Sequence, residues 1–194
     1  MDDDWAVDAA FASRLATDAV RLLQALRVEM AGAAVDELRD AGDRRSHEFL
    51  MAAFAADRPD DAVLSEEGVD GPARLSADRV WIVDPLDGTR EFGEGREDWA
   101  VHVALWRGSS GTGELVVGAV GLPDGVTLVS SPAPPTPRVT DRPPRVVASR
   151  TRAPEVVGEV VAALGGEQVP LGSAGAKIAS VVRGEADAYV HSGG

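Results

Sequence analysis

The chain has 194 residues, 44% of them hydrophobic, and a formal net charge of −13 from 19 basic and 32 acidic side chains. That size and apolar content support one sizeable core or two small ones, while the acidic balance repels nucleic-acid backbones, whose binding needs clustered Lys and Arg. The absence of cysteine rules out disulfides and thiolate metal sites and makes a reducing cytosol the default compartment.

The N-terminus MDDDWAVDAA is acidic where a signal peptide is basic, and no apolar run approaches the roughly 20 residues that span a bilayer. The expectation is a soluble cytoplasmic chain with neither nucleic-acid nor membrane partners. Such an acidic chain can still take a small phosphorylated substrate, provided bound cations invert the local field.

In chain order, residues 5–30 place Phe11, Leu15, Val20, Leu22, Leu23 and Leu26 near helical spacing without Gly or Pro, which predicts a long amphipathic helix. A second helix is expected over 43–56, with Asp43 at its N-terminal cap, Pro59 beyond its end, and Phe49, Leu50, Ala53 and Phe54 facing inward. Short apolar runs follow at 62–65 (AVLS), 79–84 (RVWIVD), 99–106 (WAVHVALW), 114–120 (ELVVGAV) and 126–130 (VTLVS). They read as strands, several at hairpin spacing.

Residues 131–144 are too proline-rich for a helix or a central strand and read as a linker. Beyond them, 145–149 and 187–190 read as strands and 154–164 and 174–182 as helices, an alternation that suggests an α/β unit. The expected organisation is an N-terminal α+β domain over 1–130, with a helix pair on a mainly antiparallel sheet. The linker over 131–144 and a smaller, partial α/β unit over 145–194 follow.

The run WIVDPLDGTREF sets Asp84 and Asp87 three residues apart at the end of an apolar strand. The expectation is that Asp84 projects from the strand end, Pro85 turns the chain, and Asp87 returns to the same side. Two converging carboxylates either share a proton or hold a hard cation such as Mg²⁺, with the Leu86 carbonyl as a further ligand. Gly88 and Thr89 then open a helix or turn whose N–H groups suit a phosphate.

Asp-Pro and Asp-Gly are also common turn dipeptides, so DPLDGT by itself fits a solvated turn as well. Further carboxylates shift that balance. Glu66 and Glu67 directly follow the AVLS run, and Asp40 and Asp43 precede the second helix, where Asp43 can combine capping with water activation.

An Asp opening a helix, SEEG, WIVDPLDGTREF and then GSAGAK with GEADAYVHSGG together resemble the inositol monophosphatase superfamily. Within it, the bacterial CysQ-type 3′(2′),5′-bisphosphate nucleotidases are the nearest pattern. The resemblance covers most of the chain, and WIVDPLDGT is its most specific element. It implies a layered αβαβα fold and a lithium-sensitive phosphomonoesterase that uses two or three Mg²⁺ ions. Metal-activated water would attack phosphorus directly, with no covalent enzyme intermediate.

Carried over by position, the resemblance implies that Glu66 and Asp84, with the Leu86 carbonyl, bind the activating metal, and that Asp87 shares a second metal with Asp84. Asp43 and Thr89 would orient and deprotonate the water, and the Gly88 and Thr89 amides would hold the phosphate. Arg90-Glu91-Phe92 resembles the nucleotidase members, whereas simple inositol phosphatases more often show Asn-Phe there. That favours adenosine 3′,5′-bisphosphate, cleaved to AMP in sulfate assimilation and nucleotide turnover. Ser173 and Lys177 lie where such enzymes line the nucleotide pocket, although Lys177 also fits an ordinary helix-surface residue. The implied partner is a small phosphorylated substrate, with a homodimer as an option.

Family members soon reach a Trp-Asp pair after GxADAY, whose aspartate completes the metal sites, and the sequence stops at Gly194 before one. The expectation is a truncated record of a longer enzyme, against the alternative of a catalytically impaired binding fragment. Inositol 1-phosphate and fructose 1,6-bisphosphate are the alternative substrates. An aspartyl-phosphate mechanism of the haloacid-dehalogenase kind fits less well, because its aspartates stand two apart rather than three.

His47, His102 and His191 are scattered over different elements and read as core-edge or surface residues rather than ligands. Trp5, Trp81, Trp99 and Trp106 read as packing residues. Ser65, Ser149 and Ser173 lack the G-x-S-x-G elbow of a serine hydrolase.

Overall fold

The computed structural model describes residues 3–68, 71–109, 112–130 and 141–191. These form two compact units divided between Ser130 and Ser131. Residues 131–140 of the expected linker lie outside the described residues.

The first unit runs α1 (Asp3–Glu29), α2 (Val35–Asp57), β1 (Ala62–Ser65), a 3₁₀ turn (Pro72–Leu75), β2 (Arg79–Asp87), α3 (Thr89–Gly93), β3 (Ala100–Ser109), β4 (Thr112–Gly121) and β5 (Thr127–Val129). The strands lie in the order β1-β2-β3-β4-β5. β1 runs parallel to β2, and the other pairs are antiparallel. Period-two alternation puts Trp81 and Val83 of β2 and Val101, Val103 and Leu105 of β3 on one face, buried with Phe11, Leu15, Leu23, Leu50 and Phe54 of the two long helices. Each such side chain contributes about 1.5–3 kcal/mol by leaving water. Trp81 anchors this layer, with Phe11 at 5.2 Å and Phe54 at 5.5 Å between ring centroids.

A polar clamp ties the start of this layer together. Arg79 donates to both oxygens of Asp8 at 2.9 and 3.1 Å and to Asp61 at 2.8 Å, while the Trp81 indole N–H reaches the other Asp61 oxygen at 2.8 Å. The fork geometry of the guanidinium satisfies both carboxylates at once.

Two local expectations are corrected here. α2 begins at Val35 with Ala34 as its cap, so Asp43 sits inside the helix rather than capping it. Leu38 and Ala41 extend the apolar stripe upstream, and Asp36 and Glu37 favour a helix start there by facing its positive end. Gly42 does not break the helix, because its missing side chain is what the packing demands: a Cβ there would lie 2.7 Å from Phe92 Cε1 and 2.9 Å from Leu86 Cδ2.

Nor does Pro85 turn the chain. β2 continues to Asp87 with a register shift between Asp84 and Asp87. At such an irregularity a proline forfeits no regular ladder bond.

The second unit contains β6 (Arg145–Ser149), α4 (Val156–Leu164), β7 (Glu167–Leu171), α5 (Ala174–Val182) and β8 (Ala188–Tyr189). β6 lies between β7 and β8 and is parallel to both. Its Val146, Val147 and Ala148 are all buried, the continuous apolar run expected of a central parallel strand. β7 has no counterpart among the expected elements. Its EQVPL lacks alternation, and Pro170 is tolerated because the strand lies at an edge. Among the described residues no helix is long and apolar enough to cross a membrane.

Candidate active site

In a regular strand, residues three apart project to opposite faces. β2 departs from that rule because Asp84 pairs with His102 while Asp87 pairs with Ala100, so three steps along β2 match two along β3. The extra residue of this bulge returns Asp87 to the face of Asp84. That face is the one carrying Ile82 and its partner Ala104, opposite the side buried by α1 and α2.

Asp84 is partly buried and accepts a hydrogen bond from the Leu86 N–H at 3.1 Å. Burial, and then the charges of Asp87 and Glu66, push its carboxyl up to about 7, against the opposing pull of His102 and that N–H. Glu66 follows β1, and its N–H bonds to the Val83 carbonyl at 3.2 Å, which sets it beside the strand that carries Asp84.

A second group forms where α2 meets α3. The Thr89 hydroxyl donates to Asp43 Oδ1 at 2.9 Å and also lies 3.1 Å from the Leu86 carbonyl oxygen. Burial pushes the Asp43 carboxyl up to about 6, with the Thr89 hydrogen bond opposing and the charge of Glu67 adding. Gly88 precedes Thr89 in a left-handed conformation, φ +93°, which glycine adopts without strain. Ser46 of α2 donates to the Pro85 carbonyl at 2.6 Å, fixing the bulge against the helix. The structure therefore brings together Asp43, Asp84, Leu86, Asp87, Gly88 and Thr89, with Glu66 within electrostatic reach.

Asp84, Asp87 and His102 can each bring one ligand atom within 4.8 Å of the others. The two carboxylates supply the oxygen donors that hard divalent cations take, and burial together with the charges of Asp87 and Glu66 disfavours a bare Asp84 carboxylate there. The residues fit such a cation.

Residues 4–133 match the inositol monophosphatase family. The chain belongs to this family. It is 46% identical over 188 residues to the 3′-phosphoadenosine 5′-phosphate phosphatase of Mycobacterium tuberculosis (strain CDC 1551 / Oshkosh), covering 91% of this chain and 68% of that one. The protein of the same name from Mycobacterium leprae (strain TN) is also 46% identical, over 197 residues, covering 96% and 73% of the two chains. The crystal structure of CysQ from Bacteroides thetaiotaomicron, a bacterial member of the inositol monophosphatase family, superposes with a TM-score of 0.71 at 24% identity and covers 94% of this chain and 79% of that one. The fold is thus of the inositol monophosphatase type.

Within that fold the other two expected residues sit in the second unit. Ser173 caps α5 by accepting from the Ala176 N–H at 2.9 Å. Lys177 is buried rather than on the helix surface, donates to the Gly172 carbonyl, and stands 5.4 Å from the centre of the Tyr189 ring.

His102 was the residue that sequence reasoning passed over. It lies directly across the ladder from Asp84, and its Nε2 is 3.0 Å from Asp87 Oδ2. Burial acts to lower its imidazole, but the hydrogen bond to Asp87 and the charges of Asp87, Asp84 and Glu66 outweigh that and raise it. The only signal in the sequence was parity: in WAVHVALW, His102 alternates with the inward Val101 and Val103, so it faces away from the core.

Proposed function

We propose that this member of the family is a Mg²⁺-dependent phosphomonoesterase that removes the 3′-phosphate of adenosine 3′,5′-bisphosphate to give AMP. The observation that carries the reading is the β2 bulge, which turns Asp84 and Asp87 onto one face beside Glu66. The substrate follows from 46% identity to relatives named for 3′-phosphoadenosine 5′-phosphate and from the Arg90-Glu91-Phe92 that follows the DGT turn.

Glu66, Asp84, Asp87 and the Leu86 carbonyl would hold two or three Mg²⁺ ions. Bound there, Mg²⁺ supplies neutralising charge for the phosphate and makes water acidic enough to react near neutral pH. The remaining chemistry belongs to the chain's own residues. The Thr89 hydroxyl gives its single hydrogen to Asp43, which leaves its oxygen lone pairs free to accept from the attacking water. Asp43, ionised above about pH 6, takes the proton passed through Thr89 Oγ1. The water oxygen bonds to phosphorus as the bond from phosphorus to the ribose 3′-oxygen breaks, and that oxygen takes a proton from a solvent water. The Gly88 and Thr89 amides hold the phosphate, and we assign Ser173 and Lys177 to nucleotide binding, Lys177 through its charge.

The test is product analysis after incubation with adenosine 3′,5′-bisphosphate in Mg²⁺, in chelator, and in Mg²⁺ with Li⁺. AMP and orthophosphate should form in Mg²⁺ alone, be absent with chelator, and be reduced by Li⁺. Release of 3′-AMP instead, metal-indifferent release, or faster cleavage of inositol 1-phosphate or fructose 1,6-bisphosphate would contradict it.

A further inference from the structure

Three aspartates of this site each have a tether. Asp84 accepts from the Leu86 N–H at 3.1 Å, Asp43 accepts from Thr89 Oγ1 at 2.9 Å, and Asp87 Oδ2 lies 3.0 Å from His102 Nε2. The first two tethers come from the DPLDGT segment itself. The third is supplied by β3. Asp87 is the last residue of β2, beyond the bulge, where its backbone pairs with Ala100 but the regular register has already shifted. The bulge turns the Asp87 carboxylate to the face that carries His102, so the neighbouring strand reaches it with a hydrogen-bonding side chain.

We infer that His102 is a positioning residue: its Nε2–H donates to Asp87 Oδ2 and holds that carboxylate turned toward Asp84 so that both can serve one cation cluster. The inference rests on the metal-dependent reading above. His102 suits this role because β3 is pinned on both sides, by β2 and by β4, so the imidazole is presented from a rigid element rather than a loop. It is partly buried, which strengthens the bond to the carboxylate and limits competition from water.

Direct ligation by His102 is the rival arrangement, since its ring nitrogen is close enough to share a cation with Asp84 and Asp87. Ligand chemistry decides against it. The other donors are oxygens, which select a hard cation, whereas imidazole suits softer transition metals. Ligating carboxylates at such centres are themselves held by hydrogen bonds from side chains that do not touch the metal.

The experiment compares Mg²⁺ binding by titration calorimetry in the wild type, His102→Ala, His102→Gln, Asp87→Asn and the double variant, with thermal melting of each. His102→Ala should weaken Mg²⁺ binding about 10- to 100-fold without lowering the metal-free melting temperature. His102→Gln, which keeps an N–H donor, should recover most of the affinity. In the Asp87→Asn background, His102→Ala should cost nothing further, because its effect passes through Asp87.

Equal affinity in wild type and His102→Ala overturns the inference alone, and so does an undiminished effect in the Asp87→Asn background. A directly bonded nitrogen seen by pulsed electron paramagnetic resonance on the Mn²⁺-loaded protein would overturn it by making His102 a ligand. Failure of the wild type to take up Mg²⁺ overturns both this inference and the functional reading.

Discussion

Thr89 and Asp43 are separated by 46 positions in sequence, yet the Thr89 hydroxyl donates to Asp43 Oδ1 across 2.9 Å. That bond joins the first turn of α3 to the middle of α2. It also gives the site a proton acceptor whose carboxyl burial has pushed up to about 6. An unfolded Asp titrates near 4, so between about pH 4 and pH 6 the folded chain holds more protons than the unfolded one. Stability from the protonated form is therefore present below that window and lost as pH rises through it.

Asp43→Asn keeps an oxygen for Thr89 and removes the partly buried charge. Its metal-free stability at pH 8 should rise by something on the order of 1 kcal/mol, after allowance for solvent screening. Turnover should fall by roughly 10²- to 10⁴-fold as the base is lost, and wild-type kcat/KM should show an acidic limb near pH 6. Urea denaturation and a pH–rate profile check both. A less stable or fully active variant would contradict the role.

Gly42 lets α2 approach Leu86 and Phe92, the residues flanking the catalytic turn. A Cβ at this position would lie inside contact distance of both side chains. Gly42→Ala improves helix propensity by about 1 kcal/mol, but forcing the layers apart costs about 1–3 kcal/mol. The expected result is a net loss of about 0–2 kcal/mol in urea denaturation together with at least a tenfold loss of kcat, because the Asp43–Thr89 separation grows. Unchanged kcat would show that the close approach is packing alone.

The two long helices and the strands of the first unit were readable because apolar residues recur at clear periods of 3.6 and 2. What escaped depended on partners distant in sequence. The polar VDELRDAG stretch hides the start of α2, because only tertiary contact shows why Gly42 is tolerated inside a helix.

The nearness of Asp84 and Asp87 was legible, but its cause was not: a bulge in register against β3 does what a turn at Pro85 was expected to do. His102 was discounted for the same reason, since its neighbours are set by inter-strand pairing. β7 was invisible because an edge strand with a proline carries almost no local signature.

Arg79 holds two carboxylates at the base of the core, Asp8 nearly fully buried and Asp61 bonded to the Trp81 indole. Arg79→Met keeps much of the volume and leaves both carboxylates short of a cation, although Arg58 remains 3.7 Å from Asp8. A loss of about 2–3 kcal/mol is expected in urea denaturation, below the range for a wholly buried pair because Arg79 is partly exposed. Activity per folded molecule should be unchanged. A loss under 0.5 kcal/mol would mean that the clamp contributes little.

Lys177 is buried against the Gly172 carbonyl and the Tyr189 ring. If it recognises the second phosphate, Lys177→Met should raise KM for adenosine 3′,5′-bisphosphate about tenfold, equivalent to ~1.4 kcal/mol. Cleavage of 3′-AMP, which lacks the 5′-phosphate, should change little. Equal losses on both substrates would assign Lys177 to the structure of its helix instead.

In the proposed enzyme a divalent cation offsets the repulsion that Asp87 and the nearby Glu66 exert on Asp84. Calorimetric titration of the wild type and Asp84→Asn with Mg²⁺ in the presence of AMP tests it most directly. Saturable uptake by the wild type is expected, with none measurable in Asp84→Asn and an Asp84→Asn fold at least as stable as the parent without metal. Identical uptake by the two proteins, or none by either, would contradict it.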